Sequence, residues 1–484
     1  MIEFGQWMPD LPMVRAPHLR TASGCIPTLE AYGPFQGQTE VTNALDNRCK
    51  GAFCITDILD AQHVYAGDTT KLYQLLSFSW VDASKTGGYG PISDNARWNF
   101  ATFGDRLLAT NKVNPIQYID MSTAATQFAD LPGSPPLAEF VTAYSEFVVL
   151  GATDSSNMKI RWSGFANSAQ WTPGTNQSDE QEFPDGGRIT GFGSLDVLYI
   201  FQERAIRRMN YVGGATIMTI DKIVTGPGCI EPNSLCQWGR LFFYLAEDGF
   251  YMFDGETPTP IGAGRFDKWF RDNSQPDLWP RMSAVIDPRK KLVCWSFCSD
   301  GNTTGIPDTM LIYNWVSQRA TVAYIDIEVL VSAASLGVSP DDLTSTDVDA
   351  MTVSFDDPFW LGGTSYLAGF STSHKMGSVV TGSGDSLQAT LETGDTMLGG
   401  QGRSTVEWMR PLTDAPTATI AASASLKPTD TPTYTGTVSM QPSGRCPLRG
   451  VNGNFTRAKL TIPAGATWTF ANGVDLKAKP AGAR

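Results

Sequence analysis

Charge is scarce in this sequence. Asp, Glu, Lys and Arg make up 18% of 484 residues, against about a quarter in an ordinary globular chain, so long solvated Lys/Glu helices are not expected. The basic excess of a general nucleic-acid binder is missing, since the formal net charge is −13 and phosphates are gathered by a positive field. Histidine occurs three times, at His18, His63 and His374, never as a pair at ligand spacing. No Cys/His cluster has zinc spacing either, so no metal site is expected. The run of about 18 apolar residues that a spanning helix needs is absent; the best candidate, Val329 to Val338, is too short. No membrane-spanning segment is expected. The opening MIEFGQWMPDLPMVRAPHLR lacks a basic stretch followed by an apolar one, which excludes a secretion signal and implies synthesis in a cytoplasm. Eight cysteines lie scattered at 25, 49, 54, 229, 236, 294, 298 and 446. In a chain large enough to need no staples they read as small buried hydrophobes.

What is abundant is turn chemistry and aromatics: 47 Gly, 30 Pro and 11% Phe, Trp and Tyr, the composition of an all-β chain. GRLFFYLAEDGFYMFDGETPTPIG (Gly239–Gly262) reads as a hairpin with Asp-Gly supplying positive φ in a tight primed turn. It has relatives: His63–Leu75, Asp105–Asp120, Glu146–Ser163, Asp196–Tyr211 and Lys291–Trp315. Each is an apolar strand, a polar turn and a second strand with an aromatic near its end. Their starts recur roughly every 40 to 50 residues, the period of a β-propeller blade. The expected fold is therefore all-β: a roughly six-bladed β-propeller with an additional β-rich platform domain.

The expected boundaries follow from composition. Residues 1–60 form a partly extended N-terminal segment joining the platform or first blade, and 61–338 the propeller. The acidic, Thr/Ser-rich stretch 339–360 is a linker, and 361–484 the C-terminal platform. RFDKWFRDN places Phe266, Trp269 and Phe270 at i, i+3 and i+4, a short amphipathic helix over the propeller's side. Charge is polarised along the chain. Residues 401–484 hold ten Lys/Arg against four acids, a net +6, which leaves −19 for the remainder.

Few motifs carry chemistry. GGRITGFG (Gly186–Gly193) lacks the spacing and the following helix of a phosphate loop, and reads as a loop entering a strand at Leu195. No G-x-S-x-G nucleophile elbow occurs. Carboxylates are plentiful, so a glycosidase pair is always available on paper. The Ser-x-Asp-x-Gly-x-Thr-Trp turns of propeller glycan hydrolases are missing, and QWTPG and IRWSG lack their Asp. Trp162 and Trp171 can platform a sugar or pack a core; core packing is the commoner use. No catalytic, cofactor-binding or metal-binding residues are assigned, and the chain is not expected to be an enzyme.

AGDTTKLYQL, WNFATFGDRLLATN, FVVLG…IRWSGFANSAQW, FPDGGRITGFG, RRMNYVGG, EDGFYMFDG…IG, GRSTVEWMRPLTD and the ending SGRCPLRGVNGNFTRAKLTIPAGATWTFANGVDLKAKPAGAR together resemble the tail nozzle family of short-tailed bacteriophages. Members are also called tail tubular or packaged-DNA stabilisation proteins. The resemblance covers nearly the whole chain in order. It implies a six-bladed propeller plus platform, assembled as a homo-hexamer at the distal end of the virion tail. Such a ring sits beneath a head-tail adaptor ring, extends the DNA ejection channel and retains packaged DNA. Its partners are tail fibres or spikes and a tip or needle protein, with genomic DNA passing transiently and without specificity. No large insertion separates the hairpins, so a dedicated fibre-docking domain is not implied. Arg445, Arg449 and Arg457, in the positive C-terminal region, are the expected partner contacts. The competing expectation is a glycan-binding or glycan-hydrolysing propeller used in receptor recognition.

Overall fold

The computed structural model describes the chain except residues 13–17, 58–60, 124, 215, 335–364, 381, 383, 399–401, 429 and 482–484. It is a β protein: six four-stranded sheets stand in a ring as a six-bladed propeller, with further sheets beside them. Five blades are consecutive in the chain, spanning 51–82, 99–130, 138–182, 189–225 and 236–260. The sixth consists of Val329–Ala334, Ser365–Phe370 and Lys375–Val380, with Gln36–Ala44 as its outer strand. That last pairing is antiparallel, Lys375 opposite Ala44 and Val380 opposite Gln36. It closes the ring with backbone hydrogen bonds between segments more than 300 residues apart, as Thr39 opposite Ser378 shows.

Between the fifth and sixth blades stand four antiparallel strands, Ser283–Asp287, Leu292–Phe297, Thr309–Asn314 and Arg319–Tyr324. They are the first four of a nine-stranded sheet. It continues through Leu19–Ser23, Ala389–Thr393, Phe455–Ile462, Thr419–Ser425 and Val438–Ser439. The propeller circuit and the platform therefore share one sheet. The platform's other, seven-stranded sheet is built around Ser404–Thr413 and Ala471–Pro480, which pair along their length. It also takes in Ile2–Glu3, Cys25–Pro27 and Tyr32–Pro34.

Each hairpin read from the sequence is the middle pair of strands of a blade or of the shared sheet. The second strand of each set of four is covered on both faces and its sequence is largely apolar: every residue of Phe147–Thr153 and of Leu292–Phe297 is buried, whereas third strands such as Lys159–Trp162 alternate. The Gly239 hairpin departs in detail from the expected turn. Ala246 and Gly249 exchange both backbone hydrogen bonds around Glu247 and Asp248, and the positive φ of +152° falls on Gly249, just past the turn. Neither Glu247 nor Asp248 has positive φ.

Blades pack through aromatics laid on glycines. A Cβ on Gly67 would lie 2.4 Å from the Trp98 ring, on Gly151 2.6 Å from Phe192, and on Gly193 2.1 Å from Phe242. This corrects the expectation for Gly186–Gly193. Ile189–Ser194 is already the first strand of its blade, not a loop, and its glycines make room for Leu235 and Phe242 of the next blade. None of the eight cysteines is in a disulfide; six are buried and Cys54 and Cys236 half-buried. Trp162 and Trp171 are core residues, and their indole N–H groups donate to Gln177 and Ser168 carbonyls at 2.8 Å.

The first blade begins at Gly51, earlier than the expected 61, and the sixth runs on to Val380. The expected linker 339–360 lies outside the described residues. The N-terminal segment joins both the platform and the sixth blade. The helix forms over Asp267–Asn273. Its Phe270 packs edge-on to Phe250 and Phe297, and Trp269 edge-on to Trp7, so it plugs the seam between fifth blade, shared sheet and N-terminal segment.

Candidate functional site

Two adjoining cavities occupy the propeller axis, sharing Asn99, Phe140 and Pro232. One, about 510 Å³, is walled by the innermost strands: Phe100 and Thr102, Val141, Gly191 and Phe192, and Gln237. The other, about 530 Å³, lies where the chain enters those strands, and charged and amide side chains stand among its walls. It is walled by the segment ahead of the second blade, the turn after Thr110, the first residues of the third and fourth blades, and the Pro232–Ser234 turn of 3-10 helix.

Its side chains are fixed one by one. Glu139, on the first strand of the third blade, receives the Arg188 guanidinium at 2.9 Å, with Lys112 Nζ at 3.7 Å. Arg97 donates to the Arg281 carbonyl at 2.6 Å, at the end of the 3-10 turn that precedes the shared sheet's first strand. No carboxylate lies within ion-pair distance of Arg97 among the described residues. Burial, reinforced by the neighbouring Arg48, pushes its pKa down to about 10. Glu231 is 6% exposed; burial lifts its carboxyl to about 7, despite the backbone N–H of Asn233 and the pull of Arg188 and Arg97. Asn111 Oδ1 accepts from the backbone N–H groups of Val113 and Asn114 at 3.0 and 2.9 Å, holding the turn that carries Lys112.

Beside this cavity sits a second charged set. Lys50 Nζ, 1% exposed, bonds Asp94 at 3.1 Å; burial lowers it to about 8 while the ion pair holds Asp94 below the usual carboxylate range. Arg281 bonds Asn95 and the Gly305 carbonyl, which Arg48 shares. Glu328 is fully buried, accepts the Cys49 N–H at 3.0 Å and pairs with His374 at 2.7 Å, burial raising its pKa. None of these groups was singled out from the sequence as a site. The signal was faint: single charged residues just ahead of apolar strands, as in RCKGAF, NARWNF, GGRITGF and GCIEPN.

The three arginines expected to meet partners do not share one environment. Arg445 and Arg449 are exposed on the platform. Arg445 lies over the Trp408 ring at 4.6 Å, with Arg410 at 5.7 Å, and Lys477 and Lys479 pair with nearby Glu407. This is a half-exposed aromatic set among cations. Arg457 is instead buried between the platform strands, bonded twice to Asp395. Among the described residues no group of three or more His, Cys, Asp or Glu could hold a metal ion, and no helix is long and apolar enough to cross a membrane.

A ring of six four-stranded blades around an axial cavity, with a nine-stranded sheet running from between the fifth and sixth blades into a second β body, defines a propeller–platform protein. No protein-family model matches the chain, and no curated protein matches it. Among solved structures it is similar to the computationally designed Ika8 protein, at 10% identity and a TM-score of 0.36 over 71% of this chain and 99% of that one. It is likewise similar to a chain of the mitotic checkpoint complex, at 11% identity and a TM-score of 0.36 over 73% and 94%. Likeness at this level bears on no functional conclusion.

Proposed function

We propose that the chain is a structural subunit of a short-tailed phage particle, six copies forming the nozzle ring at the distal tail. The observation that best supports this reading is the sheet shared by propeller and platform. The sheet crosses from one body to the other at the parallel Ser23–Val322 pairing, over a hydrophobic cluster that both bodies share, and such a joint suits a ring that holds pressurised DNA. The net charge of −13 supports it too, because each phosphate contact adds affinity through counterion release and would act as friction on passing DNA. Flanks buried in a symmetric ring fit a chain with few charges. The exposed Arg445, over half-exposed Trp408, and the exposed Arg449 are then contacts for an acidic partner surface such as an adaptor. Complementation tests the reading: parent particles lacking this chain should lose packaged DNA, and adding it back should restore retention. Particles that keep their DNA and infect normally without it would overturn it.

A second reading rests on the axial cavity. Arginines and two glutamates converge there, as a glycan-binding or glycan-cleaving propeller would require, though its walls include no Asp or Tyr. Binding of the purified chain to a glycan panel, abolished by filling the cavity, would favour it.

A further inference from the structure

The axial cavity is unusual in its charge. In a chain of net −13, its walls carry three cations, Arg97, Lys112 and Arg188, against two carboxylates, Glu139 and Glu231. Glu139 answers both Arg188 and Lys112. Arg97 makes its hydrogen bonds only to backbone carbonyls; Glu231 and Glu328 act on it only at a distance, and a half-buried guanidinium with no carboxylate in contact is costly. Three wall residues also carry N–H donors that find no protein acceptor: Arg97 Nη1, Asn111 Nδ2 and Arg188 Nε. A buried donor left unpaired costs about 1–3 kcal/mol. Asn95, Asn99 and Asn233 add further amides to the same wall. A space of about 530 Å³ lies within the range of small-molecule pockets.

We propose that this cavity binds a small molecule through an anionic oxygen group, a carboxylate or a phosphate, held by Arg97 with Lys112, Arg188 and the Asn111 amide. The anion supplies the charge that Arg97 lacks, and its oxygens accept from the donors after small side-chain adjustments. The site is independent of the tail assignment: it requires only the propeller axis.

Calorimetric titration of the full chain tests this, with inorganic phosphate and acetate as separate probes at ionic strength held constant by chloride. The proposal expects saturable binding of at least one probe at one site per chain. Phosphate alone binding marks a phosphate ligand; acetate alone or both marks a carboxylate-sized group. Asn111→Asp keeps the acceptor that holds the 111–114 turn but places an oxygen where a donor stood, and should weaken binding at least tenfold with the thermal midpoint retained. Lys112→Gln, at the half-buried rim, gives a second check and should weaken binding severalfold. Absence of saturable heat with either probe would overturn the proposal, as water alone would then serve the donors. Equal affinity in both folded variants would overturn it as well.

Discussion

Replacing Arg457 by Ala should destabilise the platform by about 3–5 kcal/mol, the cost of leaving one partner of a buried ion pair uncompensated. Arg457 lies on Phe455–Ile462 and Asp395 just past Ala389–Thr393, on paired strands. Their side chains are 7% and 2% exposed, and two hydrogen bonds of 2.5 and 3.0 Å join them. Glu392 lies 4.0 Å away, engaged by the Tyr434 hydroxyl at 2.6 Å. Asp395→Ala should cost a similar amount by stranding the guanidinium. The double change Arg457→Met with Asp395→Leu should cost far less than the sum, because neither half of the pair is left behind and Glu392 keeps Arg20 and the Tyr434 hydroxyl. Urea unfolding followed by tryptophan fluorescence reads all three, and the losses should barely change with salt, as buried pairs are little screened. A cost below about 1 kcal/mol for either single change, or strict additivity, would refute the reasoning. The same geometry decides how partner contacts are probed. Reversing Arg457 would damage the platform itself, so only Arg445 and Arg449 offer a clean test.

That test is the double change Arg445→Glu with Arg449→Glu, which should leave the fold intact and block attachment to tails; normal assembly in a particle reconstitution would refute the contact. Glu231 predicts a pH dependence. Its carboxyl sits at about 7 in the folded chain against about 4.3 unfolded, so its protonation favours the fold. That contribution is complete below about pH 4, falls as pH rises, and is lost above 7, a change of about 3–4 kcal/mol. Urea unfolding at pH 5 and pH 8 should show about 2–3 kcal/mol of this change relative to Glu231→Gln; parallel profiles would contradict it. Gly193→Ala would push a Cβ to 2.1 Å from the buried Phe242 ring and should cost about 1–3 kcal/mol by overpacking a blade seam; an unchanged urea midpoint would contradict the packing.

The hairpins were legible because second strands, covered on both faces, spell apolar runs such as FVVLGAT and LVCWSF. Other strands were not, for physical reasons. First strands near the axis must be thin, so Ile189–Ser194 carries glycines and reads as a loop. Outer strands are solvated edges, and Asp179–Glu182 is all polar, a common defence against stray pairing. The ring closure joins Gln36–Ala44 to Lys375–Val380, and no local pattern announces a partner that distant. The axial cavity was hidden likewise: Arg97, Glu139, Arg188 and Glu231 come from four separate segments. Along FTRAKLTI nothing distinguishes Arg457, which is buried, from Lys459, which is half-buried; only Asp395 across the ladder does so.

The most direct measurement of the central claim is electron cryo-microscopy of the parent particle, asking where this chain sits. The account predicts a sixfold ring at the distal tail, its subunits showing propeller and platform as one rigid body around a channel wide enough for duplex DNA. Absence from the tail axis, or a peripheral position with another symmetry, would contradict it.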